Sequence, residues 1–246
     1  MSALARIYDE THELNNRTIL ATLPARPGAT VLDLGCGDGA FTERVGRRTG
    51  AGRLIGLELD AIDAAAARAR GIEVVEADLA QPLPFADASI DVVHSNQVIE
   101  HLADTDLFLR EIRRVLRPGG AAVVSTNNLA SWHNVVSLAL GWQPPVSHVS
   151  DEVVVGNPVD FMEGHLGEHI HMHLRLFTER ALAELAAYHG LRLDRARTVG
   201  YYPLPVRAAR LATRLDRRHG AYLVQRYVPG DPAPQRRSAR ARDRGR

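Results

Sequence analysis

Three glycines within five positions, Gly35, Gly37 and Gly39, directly follow the short run Val31-Leu32-Asp33-Leu34. That junction constrains the fold more than any other stretch of the chain. The run reads as a buried strand, and the glycines read as a turn whose backbone carries little side-chain bulk. Ala40–Arg48 then starts a helix at once, with free N–H groups at its first turn. The stretch is therefore a nucleotide-like cofactor loop at the end of a first strand. The spacing Gly35-x-Gly37-x-x-Ala40 formally fits the dinucleotide fingerprint, with Ala as its third small residue. Asp33 points elsewhere: a carboxylate inside the strand, just before the first glycine, suits a cationic ligand with an amino group better than a pyrophosphate.

Elements alternate on either side of this loop. Residues 2–23 place Leu4, Ile7, Tyr8, Leu14, Ile19, Leu20 and Leu23 at helical spacing and stop at Pro24. This predicts a leading helix or helix pair, with His12, Asn15 and Arg17 as its polar members. Helix 40–48 closes at Gly50-Ala51-Gly52. Arg53–Leu59 is a second strand, Asp60 caps an Ala-rich helix over 61–70, and Ile72–Ala77 is a third strand running into Asp78-Leu79. A Pro-rich loop leads to a fourth strand over Ser89–Ser95, followed by Asn96-Gln97-Val98-Ile99-Glu100-His101. A helix over 104–116, stopped by Pro118-Gly119-Gly120, precedes a fifth strand over Ala121–Thr126. Such alternation gives a doubly wound parallel sheet, and ligands in these sheets sit at the carboxyl ends of the strands. Gly35, Glu58, Asp78 and Asn96 all fall at such ends. Glu58, 19 residues beyond Gly39, stands where ribose hydroxyls are taken.

Six segments in order carry a family resemblance. They are Asp33-x-Gly35-x-Gly37, the acid ending the second strand, Asp78-Leu79 ahead of Leu83-Pro84-Phe85, Ser89-Ile90-Asp91-Val92-Val93, Ile99-Glu100-His101 and Arg114-Val115-Leu116-Arg117-Pro118-Gly119-Gly120. Together they resemble the class I S-adenosylmethionine-dependent methyltransferases, in the small-molecule group with type 11 and ubiquinone-biosynthesis-like members. The stretch 120–132 resembles the fifth-strand region of the same group, with Thr126-Asn127-Asn128 in place of its usual Thr-Pro-Asn. The resemblance implies a seven-stranded, mostly parallel, Rossmann-like α/β sheet with a cap insertion, and S-adenosylmethionine as cofactor. It implies that Asp33, Gly35, Cys36, Gly37 and Gly39 contact the amino acid moiety and ribose. Glu58 with Leu59 then takes the ribose hydroxyls, Asp78 accepts from the adenine amino group, and Leu79 packs on the ring. Asn96 and Gln97 stand near the methionine part. A dinucleotide dehydrogenase would need neither Asp78-Leu79 nor Glu100-His101.

Residues 127–177 are too long for a simple connection, and loops of that length are usually lids or binding segments. Leu129–Leu140 predicts a helix with Trp132, Val135, Val136 and Leu140 apolar, and Ser147–His173 is rich in histidine. This is the expected acceptor-binding cap. His165 and His169 share a face on a helix, whereas His169, His171 and His173 share one on a strand. Either geometry suits a divalent transition metal, but methyl transfer needs none, and no metal site is assigned. His173 and Arg175 resemble the positional residues that lead into the next helix of the family. A hydroxyl acceptor also needs a base, for which histidine is suited. His101 is the first candidate, followed by His169 and His171.

Thr178 then caps a helix over Glu179–Tyr188, and Leu191–Val199 is a sixth strand. A helix over Val206–His219 precedes a seventh strand, Ala221–Val228, antiparallel in this family. Residues 1–228 are expected to form one domain, with 1–27 as its leading helical part and 229–246 as a disordered tail carrying six arginines against two aspartates. The formal net charge of +1 argues against bulk capture of nucleic acid. The one cysteine, Cys36, excludes an internal disulfide and has no evident base beside it. With no apolar span or leader, a soluble cytoplasmic protein is expected. The function expected is O-methylation of a small molecule, a sugar or secondary metabolite. The alternatives are N- or C-methylation of an amine or quinone precursor, or a cofactor-binding regulatory module without turnover.

Overall fold

β1 (Thr30–Leu34) is buried from Val31 onward, which places it at the centre of a sheet covered on both faces. β2 (Arg53–Glu58) and β4 (Ile90–Asn96) flank it in parallel. β3 (Glu73–Glu76) lies beyond β2, and β5 (Leu116–Asn127) lies beyond β4. β7 (Tyr222–Pro229) runs antiparallel between β5 and β6 (Leu191–Val199), giving the order β3-β2-β1-β4-β5-β7-β6. The computed structural model describes residues 3–147, 149–150, 152–158 and 173–233. Among them, no helix is long and apolar enough to cross a membrane.

Strand alternation divides the core in two. Leu32, Leu34, Ile55 and Leu57 face Phe108, Leu109 and Ile112 of α4 (Thr105–Val115), together with Leu182 and Ala186 of α6 (Glu179–Tyr188). On the opposite face, Val31, Val92, Val123 and Val224 pack against Ile19 of α1 (Ala3–Thr22), Leu23 just beyond it and Val45 of α2 (Ala40–Thr49). α3 (Ala61–Ala69) starts where Asp60 accepts from the Ile62 and Asp63 N–H groups, and Thr178 caps α6 through Ala181 N–H. Both caps agree with the sequence expectation.

Asp33 has the parity of Val31 and so faces α2. Its Cα partner across the β1–β4 ladder is His94. His94 Nδ1 donates to Asp33 Oδ1 at 2.6 Å, and Thr42 Oγ1 of α2 donates to Oδ2 at 2.6 Å. Asp33 is 2% exposed and His94 1%. One buried carboxylate thus ties β1 to β4 and to the helix after the glycine turn.

Several boundaries differ from expectation. Pro118-Gly119-Gly120 does not precede the fifth strand but lies inside it: Leu116 already pairs with Ile90, and the register then shifts before Ala121 meets Val92. Gly119 at φ 75° accommodates that irregularity. The leading segment is a single helix, one of the two forms expected, and Ile99–His101 is a short 3₁₀ turn. α5 (Trp132–Ala139) starts later than Leu129 because Asn128 organises a turn before it. Its carbonyl accepts from Asn134 Nδ2, while its own Nδ2 donates to Arg218 O and Gly220 O. α5 consequently buries Asn134 and Ser137 and leaves Trp132, Val136 and Leu140 outward. α7 (Val206–Leu215) ends before His219 at Asp216, whose carboxylate accepts from Trp132 Nε1 and Arg218 N–H. Residues 230–233, expected to belong to a disordered tail, are tied to the end of α6: Gly230 N–H donates to Gly190 O, and Ala233 N–H donates to Ala187 O. The rest of the tail lies outside the described residues.

Replacing Asp33 by Ala leaves the His94 and Thr42 donors without an acceptor inside the sheet. Asp33→Ala is expected to cost about 3 kcal/mol of folding stability, read from the denaturant midpoint. A midpoint equal to that of the parent protein would refute the role assigned to this carboxylate.

Candidate functional site

The loop after β1 is held from the side by β2. Gly35 N–H and Cys36 N–H both donate to Leu57 O, and Gly37 N–H donates to Glu58 Oε2 at 2.8 Å. Glu58 Oε1 accepts from Leu59 N–H and Asp60 N–H at 2.9 and 3.0 Å. A single carboxylate therefore fixes two loops at once. Gly37 needs its glycine for the positive φ of 53°, yet the space in front of it is open, as a ligand cradle requires. A cleft of about 340 Å³ runs from this loop along the strand ends.

Charge separates the two cofactor classes the loop left open. Glu58, Asp63 and Asp78 line the cleft, and no arginine is among its described walls. Burial and the neighbouring Asp60, Glu58 and Asp38 raise the Asp63 carboxyl above the usual carboxylate range, a sign of the negative field there. A pyrophosphate would meet repulsion in such a cleft, and a sulfonium with an ammonium group would meet attraction.

Of the expected cofactor residues, Gly35, Gly37, Glu58, Leu59, Asp78, Leu79, Asn96 and Gln97 line this cleft, as does His101. Three, Asp33, Cys36 and Gly39, are not among its walls. The Asp33 carboxylate points to the opposite face of β1, where Thr42 and His94 occupy it. The Cys36 side chain packs on Gly56, where an added Cβ would stand 2.5 Å from its sulfur. Burial and the Asp33 and Glu58 charges push that thiol up to about 12, which leaves no thiolate for chemistry. Gly39 is the left-handed residue before α2, and a Cβ there would come within 3.0 Å of Ala67. Asp63, in the first turn of α3, was missed, although an acid at that helix position is a readable signal. Asn15 was read only as a polar helix residue. Its Nδ2 donates to Asn96 Oδ1, and its Oδ1 accepts from Ser125 Oγ, which joins two strand ends beneath the cleft.

The Glu100-His101 pair splits in direction. Glu100 is fully buried, and Thr126 Oγ1 donates to its Oε2 at 2.8 Å. Desolvation pushes its carboxyl up to about 7, against the opposing pull of its hydrogen bonds. Its backbone carbonyl accepts from Leu174 N–H and Arg175 N–H, which fixes the far end of the insertion. His101 faces the cleft, with its ring centre 4.9 Å from that of His173. His173 Nδ1 donates to Val146 O at 2.9 Å, and Asn127 Nδ2 approaches its Nε2 at 3.4 Å. Among the described residues, Glu100, His101 and His173 bring candidate metal-ligand atoms within 4.8 Å of one another. His165, His169 and His171 lie outside the described residues. Arg17 pairs with Glu13 on the outer face of α1.

Residues 32–124 match the family model described as "Methyltransferase domain". A probable S-adenosylmethionine-dependent methyltransferase of Mycolicibacterium smegmatis is 37% identical over 166 residues, 66% of this chain and 61% of that protein. A malonyl-[acyl-carrier protein] O-methyltransferase of Erwinia billingiae is 36% identical over 125 residues, 48% of this chain and 46% of that protein. The chain thus spans less than two thirds of either relative. The crystal structure of an S-adenosylmethionine-dependent methyltransferase from Mesorhizobium loti superposes with a TM-score of 0.61 at 23% identity, over 86% of this chain and 95% of that one. Over residues 32–124 the chain is thus similar to the class I methyltransferase domains of the type 11 group.

The cofactor of such a domain is S-adenosylmethionine, and the open cradle at Gly37 and the acid-lined walls fit its cationic character. Removing the Glu58 carboxylate frees the Gly37, Leu59 and Asp60 N–H groups together. Glu58→Ala is expected to weaken S-adenosylhomocysteine binding about a hundredfold in calorimetry; an unchanged affinity would contradict the role given to this clamp.

Glu100 sets a second test. Its folded carboxyl titrates at about 7 against an ordinary value of 4.5, so the fold holds the proton more tightly than the unfolded chain does. The associated stability is fully present below 4.5 and is lost as pH rises through about 7. Glu100→Gln removes that titration. Relative to the variant, the parent protein is expected to lose about 3 kcal/mol across that window, measured by parallel denaturant titrations. Parallel pH profiles would contradict the burial argument.

Proposed function

We propose that this chain transfers a methyl group from S-adenosylmethionine to a hydroxyl of a small molecule. The position of His101 carries the reading. It stands at the carboxyl end of β4 on the wall of the donor cleft, and His173 beside it faces a second cavity. An imidazole between the donor and the adjoining space is placed to take a hydroxyl proton. The bound cofactor supplies an electrophilic methyl group on sulfur.

The protein's part is orientation and proton transfer. The glycine loop and Glu58 hold the donor at one end, which removes much of the entropic barrier to an in-line approach. Glu100, beneath His101, anchors the chain returning from the insertion and so positions His173. Residues 127–177 serve as the acceptor cap on this reading. Asn127, His133, Pro145, Val146 and His173 all contribute to the second cavity. The O-methyltransferase named among the relatives agrees with methylation on oxygen.

The test is turnover of methyl-labelled S-adenosylmethionine on panels of hydroxyl, amine and activated-carbon acceptors, with products identified by mass spectrometry. O-methyl products are expected, and His101→Ala is expected to lower kcat about a hundredfold or more with little change in the KM for the donor. Methyl found only on nitrogen or carbon, or full turnover by the variant, would overturn the assignment.

A further inference from the structure

A second cavity, of about 230 Å³, adjoins the donor cleft, and Gln97 is a wall of both. Its other described walls are unlike those of the cleft. Tyr8 of α1, Tyr202 ahead of α7 and Tyr222 at the start of β7 supply three aromatic plates, with His12 and His133 between them. The plates are held in place by one another. Tyr8 and Tyr202 stack with ring centres 6.2 Å apart and planes 21° apart. His133 meets Tyr202 edge-on at 5.5 Å, and His12 meets Tyr222 edge-on at 6.4 Å.

Size, charge and polarity each narrow the occupant. An apolar cavity of about 150 Å³ takes a benzene ring, so this one admits one substituted six-membered ring. No arginine, aspartate or glutamate is among its described walls. Burial lowers His12 and holds His133 down at about 4, and it raises Tyr8, Tyr202 and Tyr222, so these side chains are uncharged at neutral pH. An anionic acceptor would find no counter-charge on these five side chains. A sugar would need a partner for each hydroxyl, yet the Asn127 amide is already engaged with Glu100 and His173.

One polar group on the shared wall is uncommitted. Gln97 Nε2 is buried with no hydrogen-bond partner among the described residues, and the residue holds a left-handed backbone at φ 57° that favours glycine. An unmet amide donor in a strained residue between two cavities is a recognition feature, because its cost is recovered only when an acceptor atom arrives.

We propose that this cavity receives an uncharged, single-ring phenol, with its ring against the Tyr8, Tyr202 and Tyr222 plates and its oxygen accepting from Gln97 Nε2. The inference rests on the O-methylation reading and names the acceptor class for it. In the reaction the phenol oxygen forms the new O–C bond as the S–CH₃ bond breaks. The bonding pair stays on sulfur, and the phenolic proton passes to His101.

The test is calorimetric binding to the full chain saturated with S-adenosylhomocysteine, using 4-methylphenol, 4-hydroxybenzoate and methyl glucopyranoside as probes. Saturable binding of 4-methylphenol is expected, about tenfold or more tighter than either other probe. Tyr202→Leu, which removes a plate away from the donor cleft, is expected to weaken it about fivefold with S-adenosylhomocysteine affinity retained. Equal or tighter binding of 4-hydroxybenzoate or the glucoside would overturn the proposal, as would no saturable binding of 4-methylphenol or binding indifferent to Tyr202→Leu. A phenol that binds as expected but receives no methyl group would leave the pocket assignment standing and sink the O-methylation reading instead.

Discussion

The buried carboxylate of Asp33 is the interaction on which the donor site depends. It lies at the centre of the sheet, and its two oxygens are taken by His94 of the neighbouring strand and Thr42 of the following helix. A carboxylate in such a place is tolerable only when both oxygens are met by donors. Those two donors fix where β1 ends relative to α2, and so fix the path of the glycine turn between them. Glu58 completes the task from the solvent side by accepting from both adjoining loops. One acid sets the loop's base and the other its rim.

This division was only partly legible in the sequence. Glu58, Asp78 and Asn96 were readable because each follows a strand in a βα alternation, where the carboxyl end of the strand is the ligand side. The role of Asp33 was not, because spacing within a motif counts residues and says nothing of faces. β1 is buried on both sides, so its pattern lacks the polar alternation that would have revealed which face Asp33 takes. The same limit applies to α5, where the placing of apolar residues does not say which face turns inward. Asn128 turns the helix so that Asn134 and Ser137 go inward. The strand running through Pro118-Gly119-Gly120 was obscured because those residues are ordinarily breakers, and only the register shift against β4 shows how they are accommodated.

Two cavities of opposite character meet at one short segment. The donor cleft is lined with acids and suits a cation, while the neighbouring cavity is walled by neutral rings. Gln97, just past the end of β4, lines both, and Glu100 and His101 follow it in the short turn. Glu100 links this junction to the insertion through Leu174 and Arg175, so acceptor-side geometry and donor-side geometry share an anchor. The sequence shows the pair Glu100-His101 but not that one member turns inward and the other toward the cleft. A 3₁₀ turn of three residues settles that, and no periodicity can be read from so short an element.

The central claim is that an acid-lined cleft at the glycine loop holds a cationic methyl donor rather than a dinucleotide. Competition calorimetry on the full chain tests it most directly. The account predicts saturable binding of S-adenosylmethionine at one site per chain, with an isotherm unaffected by a large excess of the oxidised nicotinamide dinucleotide. Displacement of the donor by the dinucleotide, or an absence of S-adenosylmethionine binding, would contradict it.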